Sequence, residues 1–232
     1  MGVNLRIKRI KQPPNECEPT CLKQVLDYFG ISVSLDELIK KISTGKYRWH
    51  NWDFNTGTAA MNYGLSVTIY TTSTGIFDPT WFTLKRNKLI EKMKREAYYF
   101  KISKYSGLPS YIEDSLAALK YLEVGGNIVF KSITTELMKQ ALSQKHPLIA
   151  PLNYTLLRNT PRERYVKKSK EWIPDDVKGN SYGHVVVIDG FDESTFSVVD
   201  PWPKSKGRYP VDKVVVVDSI LRNDSNLIEL SR

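Results

Sequence analysis

Hydrophobic positions recur at helical spacing through the first half of the chain and gather into short β-branched runs in the second. Leu22, Val25, Leu26 and Phe29 share one helix face, so a helix begins near Cys17–Pro19 and closes at Gly30. Pro19 suits a first turn, where its missing N–H costs nothing. Ser34-Leu35-Asp36-Glu37 is a capping box ahead of Leu38, Ile39 and Ile42, which predicts a second, short helix. Asn55-Thr56-Gly57-Thr58 precedes a third that ends near Gly64, and Leu65–Thr71 alternates as a strand does. Asp78-Pro79 reads as an N-cap and first-turn proline of a helix running to about Arg95. Tyr111–Leu122 is a further helix, stopped by Gly125-Gly126. The stretch 76–126 therefore reads as a helical elaboration on a simpler core.

The period then changes. Asn127–Lys131 is a strand, Thr134–Gln144 a helix, and Pro147–Asn153 an apolar strand. His184–Phe191, Thr195–Asp200 and Val211–Asp218 follow as strands rich in Val, Ile and Phe, after a basic, poorly patterned loop at 155–182. This order predicts an α+β fold, a helical N-terminal part packed on a C-terminal antiparallel sheet, within a single domain spanning 1–232.

Composition narrows the classes. With 232 residues, 41% of them hydrophobic and 25% charged, the chain can bury a sizeable core. Its longest apolar runs, Val185–Ile188 and Val214–Val217, fall far short of a bilayer span. No signal-peptide core follows the basic start, and Arg6 breaks the myristoylation pattern, so a soluble cytoplasmic protein is expected. Two cysteines exclude a disulfide framework. Three histidines without HExxH or CxxC spacing leave almost no material for a metal site, and no cofactor is expected. The formal charge of +9 concentrates in Arg6–Lys11 and Arg158–Lys170. With no nucleic-acid module beside it, this charge reads as a solvated face.

Four residues carry candidate chemistry. Cys17 lies in the first turn of its helix, where partial positive charge favours a thiolate. Gln12, five residues earlier, can aim a side-chain amide at the same point and join the Cys17 backbone N–H around an oxyanion. His184 opens an apolar strand, and Asp200 ends the next one. With a three-residue turn centred on Glu193, residue 186 opposes 200, and His184 and Asp200 share a face; a two- or four-residue turn puts them on opposite faces. Each residue also has a plainer role. Cys17 can be a small buried hydrophobe, His184 a satisfied core histidine and Asp200-Pro201 a strand end. Cys21, one turn further along, fits packing better than chemistry.

Two segments add a resemblance. QPPNECEPTCLKQVLDYFG (12–30) resembles the nucleophile region of the papain-like peptidases that process bacteriocin leaders, and YGHVVVIDGFDESTFSVVDPW (182–202) resembles their histidine and acid segment. NTGTAAMNYGL (55–65) and KHPLIAPLN (145–153) are similar to further family features more weakly. The resemblance implies a papain-like fold, a peptide or protein substrate, Cys17 as nucleophile, His184 as base, Asp200 as orienter and Gln12 as oxyanion donor. It implies a hydrolase cutting a peptide or isopeptide bond through a Cys17 thioester. Acyl transfer and deamidation use the same site, and a non-catalytic binding module on the same fold is the rival class. The chain departs from the family where glycine usually follows the cysteine and Glu18 stands here. A carboxylate close to the thiol raises its pKa and crowds an approaching peptide backbone.

Overall fold

The computed structural model describes residues 2–44, 52–102, 109–169 and 171–232. Helix α1 (Cys17–Tyr28) buries Cys21, Leu22, Val25 and Leu26, the periodic face read from the sequence. In α2 (Leu35–Ile42) the Ser34 hydroxyl accepts from the Glu37 N–H at 3.2 Å, as the capping box requires. Helix α3 spans Trp52–Asn62, so Asn55–Thr58 lies inside it rather than ahead of it. Gly57 is tolerated mid-helix because the Tyr121 ring occupies the space: a Cβ there would sit 2.7 Å from that ring.

The helix expected from Asp78 to Arg95 is two elements. Asp78 caps a 3-10 turn at Pro79–Thr83, Leu84 is extended, and α4 (Arg86–Ile102) starts anew. There the Arg86 guanidinium donates to the Gly126 carbonyl at 2.8 Å and ties α4 to the end of α5 (Pro109–Glu123). Residues 103–108, within the expected elaboration, lie outside the described residues.

One sheet organises the rest. Strands β2 (Ser66–Thr71), β3 (Asn127–Phe130), β4 (Leu148–Asn153), β7 (Gly183–Phe191), β8 (Thr195–Val199), β9 (Arg208–Asp212) and β10 (Asn226–Ser231) take the order β3-β2-β10-β4-β7-β8-β9, and β1 (Val3–Asn4) pairs with the far end of β7. The sheet is not purely antiparallel, because β2 and β3 run parallel. It is not confined to the second half either, since β10 joins β2 directly to β4. Helices cover both faces. Val185 and Val187 of β7 pack toward α1, α3 and α5, whereas Val186 and Ile188 pack toward α6 (Thr135–Ser143) and α8 (Lys213–Leu221). A strand buried on both faces needs no polar alternation, which accounts for the unbroken Val185–Ile188 run.

The second apolar run behaves differently. Val211–Asp218, expected as a strand, ends β9 at Asp212 and becomes helix α8. Periodicity cannot tell a short buried strand from a buried helix, and the Asp212 carboxylate decides it by accepting from Val214 N at 2.8 Å and Val215 N at 3.3 Å. The stretch 155–182 is also more ordered than its composition suggests. It holds the short helix α7 (Tyr154–Arg158) and a hairpin of β5 (Glu163–Val166) with β6 (Glu171–Pro174); Lys170 lies outside the described residues.

Candidate active site

An extended N-terminal arm delivers the first half of the site. Leu5 N donates to Asp189 O at 2.7 Å, Ile7 N to the Asp189 carboxylate at 3.0 Å, and Gln12 N to Pro201 O at 3.0 Å. Arg9 Nε donates to Asp200 O at 2.8 Å. The arm is thus bonded along β7 and the segment after β8, and it enters α1 with Gln12 and Cys17 beside that segment.

The β7–β8 hairpin positions the second half. Asp192 N donates to Thr195 O at 3.0 Å, closing a tight turn over Glu193-Ser194, and Phe191 faces Phe196. A two-residue turn alone would place His184 and Asp200 on opposite faces. The register shifts between Ile188 and Gly190, however, so that Ile188 faces Val198 and Val187 faces Val199. One step further along this ladder Val186 stands opposite Asp200, the expected register reached by an unexpected route. The bulged residue, Asp189, is buried and ion-paired with Arg208.

His184 and Asp200 meet as this register requires: His184 Nε2 lies 2.9 Å from Asp200 Oδ1. Asp200 is fully buried and accepts three more hydrogen bonds, from Tyr154 Oη at 2.8 Å and Tyr209 Oη at 2.7 Å on Oδ2, and from Trp202 N at 2.8 Å on Oδ1. Burial pushes the carboxyl pKa up, but the bond and charge of His184, then Tyr209 and the Trp202 N–H, bring it below its ordinary value. Tyr154 also stacks edge-on against the His184 ring at 4.7 Å, and Trp202 stands edge-on at 6.1 Å. Neither tyrosine was singled out from sequence; no local spacing marks them, since they reach Asp200 from α7 and β9. Tyr209→Phe is expected to lower stability by about 1–2 kcal/mol, read by denaturant unfolding, because it leaves a buried carboxylate one donor short.

Gln12, Cys17 and His184 line one cleft of about 700 Å³ together with Tyr154, Trp202 and residues of the β5–β6 hairpin. Gln12 is 5% exposed, and its Oε1 has no partner among the described residues. No hydrogen bond joins Cys17 Sγ to His184 among those residues. The Cys17 thiol is pushed up to about 12, first by burial and then by the charge of Glu18, against hydrogen bonds to the backbone at Val185, Glu18 and Cys17. The helix start therefore does not win, contrary to the expectation of a lowered thiol pKa. A terminal dipole acts through half a charge, and desolvation outweighs it. Cys21 is packing: it is fully buried, and its thiol donates to Val185 O at 3.3 Å.

Glu18 does not crowd the cleft. Its side chain is 1% exposed, is absent from the cleft lining and turns inward toward Asp53 and Thr56 of α3. Burial first, and then the charge of Asp53, raise its pKa well above the ordinary value. Burial and the charge of Asp224 push Asp53 up to about 7, although the Asn226 amide donates to it at 2.6 Å.

The fold is mixed α+β, with a cysteine at a helix start and, lining the same cleft, a histidine bonded to a buried aspartate, and the comparisons place it among cysteine-peptidase-like folds. The model of the Peptidase_C39 like family matches residues 4–96 and 82–220, and the chain belongs to that family. An inferred C39-like peptidase from Bacillus anthracis aligns at 14% identity over 100% of this chain and 98% of its own, with a TM-score of 0.47. A double glycine motif protease from an AMS/PCAT transporter, solved with its leader peptide, aligns at 15% identity over 99% of this chain and 95% of its own, with the same TM-score. No curated protein matches the chain. Among the described residues no helix is long and apolar enough to cross a membrane, and no group of His, Cys, Asp and Glu is arranged to hold a metal ion.

Proposed function

We propose that the protein is a cysteine peptidase that cuts a peptide or isopeptide bond through a thioester on Cys17. The observation that carries this reading is the fourfold-bonded Asp200, which takes His184 Nε2 and so leaves Nδ1 of the same ring for the cleft that Cys17 lines. The Nε2–H donates to the carboxylate, and Nδ1 is the proton acceptor. Because the thiol rests protonated, its proton leaves for Nδ1 as the C–S bond forms, rather than from a standing ion pair. The Gln12 amide and the Cys17 backbone N–H receive the oxyanion. The imidazolium returns the proton to the departing amine, and water then attacks the thioester with His184 again as base.

Iodoacetamide labelling followed by peptide mass mapping tests the site directly. Cys17 is expected to react, Cys21 to remain unmodified, and His184→Ala to slow the Cys17 rate roughly tenfold or more. Unmodified Cys17 at mildly alkaline pH, or a rate indifferent to His184, removes the reading. The high thiol pKa favours a second reading, a family member that binds peptide without cutting it, which predicts that same indifference to His184 together with retained peptide binding.

A further inference from the structure

One side chain of the N-terminal arm grips the loop between β8 and β9. Arg9 Nε donates to Asp200 O at 2.8 Å, and Nη2 of the same guanidinium donates to Trp202 O and, at 3.2 Å, to Ser205 Oγ. Arg9 has no carboxylate partner among the described residues, so its donors serve this loop. The loop is closed at its base, where Asp200 N donates to Gly207 O at 2.7 Å. Ser205 Oγ braces it from within, donating to Trp202 O at 2.9 Å and accepting from Gly207 N at 3.1 Å. Gly207, at φ +84°, lies against the arginine: a Cβ there would sit 2.8 Å from Arg9 Cδ. Between the two carbonyls that Arg9 takes, Pro201 O accepts from Gln12 N at 3.0 Å. Three successive carbonyls, 200 to 202, thus receive donors from the arm.

The loop begins with Asp200, and its Trp202 and Lys204 line the cleft. Tyr154 and Tyr209 fix Asp200 Oδ2. Oδ1, which receives His184, is bonded instead by Trp202 N, and so its place is set by the backbone that Arg9 holds. We propose that Arg9 is a positioning residue for the His184–Asp200 pair: its guanidinium clips the Asp200–Gly207 loop and thereby sets the carboxylate oxygen that receives the imidazole. A planar fork can span two carbonyls of one turn, whereas a single ammonium serves them poorly. The effect on turnover rests on the peptidase reading, but the placement of the imidazole does not.

NMR of isotope-labelled histidine reads that placement. The wild type should show a downfield Nε2–H resonance, assigned by its loss in His184→Ala. Arg9→Ala and Arg9→Lys should each broaden or lose it, and Cys17 alkylation should slow about tenfold. Ethylguanidinium added to Arg9→Ala should restore both, and ethylammonium should restore neither. Met93→Ala, at a fully buried position in α4, is the control for lost stability: with its melting temperature lowered as far, it should keep the resonance and the rate. A wild type without the resonance, an unchanged resonance in Arg9→Ala, a loss that Met93→Ala shares, or a loss that ethylguanidinium leaves in place overturns the assignment. Loss and rescue of the resonance in a protein whose Cys17 does not respond to His184 keeps the positioning role and removes the peptidase. A responsive Cys17 beside a resonance indifferent to Arg9 does the reverse.

Discussion

Asp200→Asn is expected to lower kcat/KM about a thousandfold or more while the chain still folds. The reason is the hydrogen-bond direction at each oxygen. Oδ2 accepts from Tyr154 and Tyr209, and Oδ1 from His184 Nε2 and Trp202 N. An asparagine offers one oxygen and one NH2 group. If the oxygen serves the two tyrosines, the NH2 faces His184 Nε2, and the imidazole must accept there and carry its proton on Nδ1. That tautomer cannot take the thiol proton. If the amide turns the other way, two phenols face a donor in a buried site and the stability loss is larger. The measurement is turnover of a reporter peptide cut by the wild type, beside the Cys17 alkylation rate, with circular dichroism to confirm the fold. An Asp200→Asn protein of near wild-type activity would remove Asp200 from the mechanism.

The second large effect is on stability against pH. Burial, together with neighbouring acids, pushes Asp53 up to about 7 and Asp114 up to about 8; Glu96 rises to about 7, and Glu18 rises well above its ordinary value. For a carboxyl whose folded pKa exceeds its unfolded one, the folded state binds the proton more tightly. The stability this confers is fully present below the unfolded pKa, near 4, and is lost as pH rises through the folded value. Asp200 works in the opposite sense, but its lowered pKa places its loss below about pH 4, outside the window of interest. The protein is therefore expected to melt roughly 5 °C or more higher at about pH 5.5 than at about pH 8.5, measured by scanning calorimetry. Glu18→Gln, which removes one of these acids while keeping its shape, should flatten that dependence. It should also lower the Cys17 pKa, since Glu18 is the second cause of the raised value. A Tm that climbs between those two pH values would contradict the buried-acid account.

Much of the framework around the candidate site was legible in the sequence because its parts are local. A proline in a first turn, a capping serine and an apolar hairpin declare themselves within a few residues, and so α1, α2 and β7–β8 stand where their residues placed them. What escaped was decided at a distance. Strand β10 lies between β2 and β4 in the middle of the sheet, yet it carries Glu229, whose charge reads as surface. Tyr70 Oη at 2.7 Å, from β2, and His146 Nδ1 at 2.6 Å, from the turn before β4, are what make that position habitable. Tyr154 and Tyr209 are invisible for the same reason, being paired with Asp200 only through the fold. Glu18 was legible as a departure but not in its direction, which depends on Asp53 and Thr56 of a helix begun 34 residues later. Its effect on the thiol was foreseen, whereas its absence from the cleft was not.

The extra residue at Asp189 gives the hairpin an arithmetic. The tight turn sets one parity for every position on β7, and the bulge reverses it before His184 is reached. Deleting a single residue at the bulge would turn the imidazole away from its acid without disturbing either residue. Lengthening the turn by one would do the same, and the two lesions together would cancel. Insertions and deletions here should behave as frameshift mutations do in a gene, each harmful alone and each able to suppress the other.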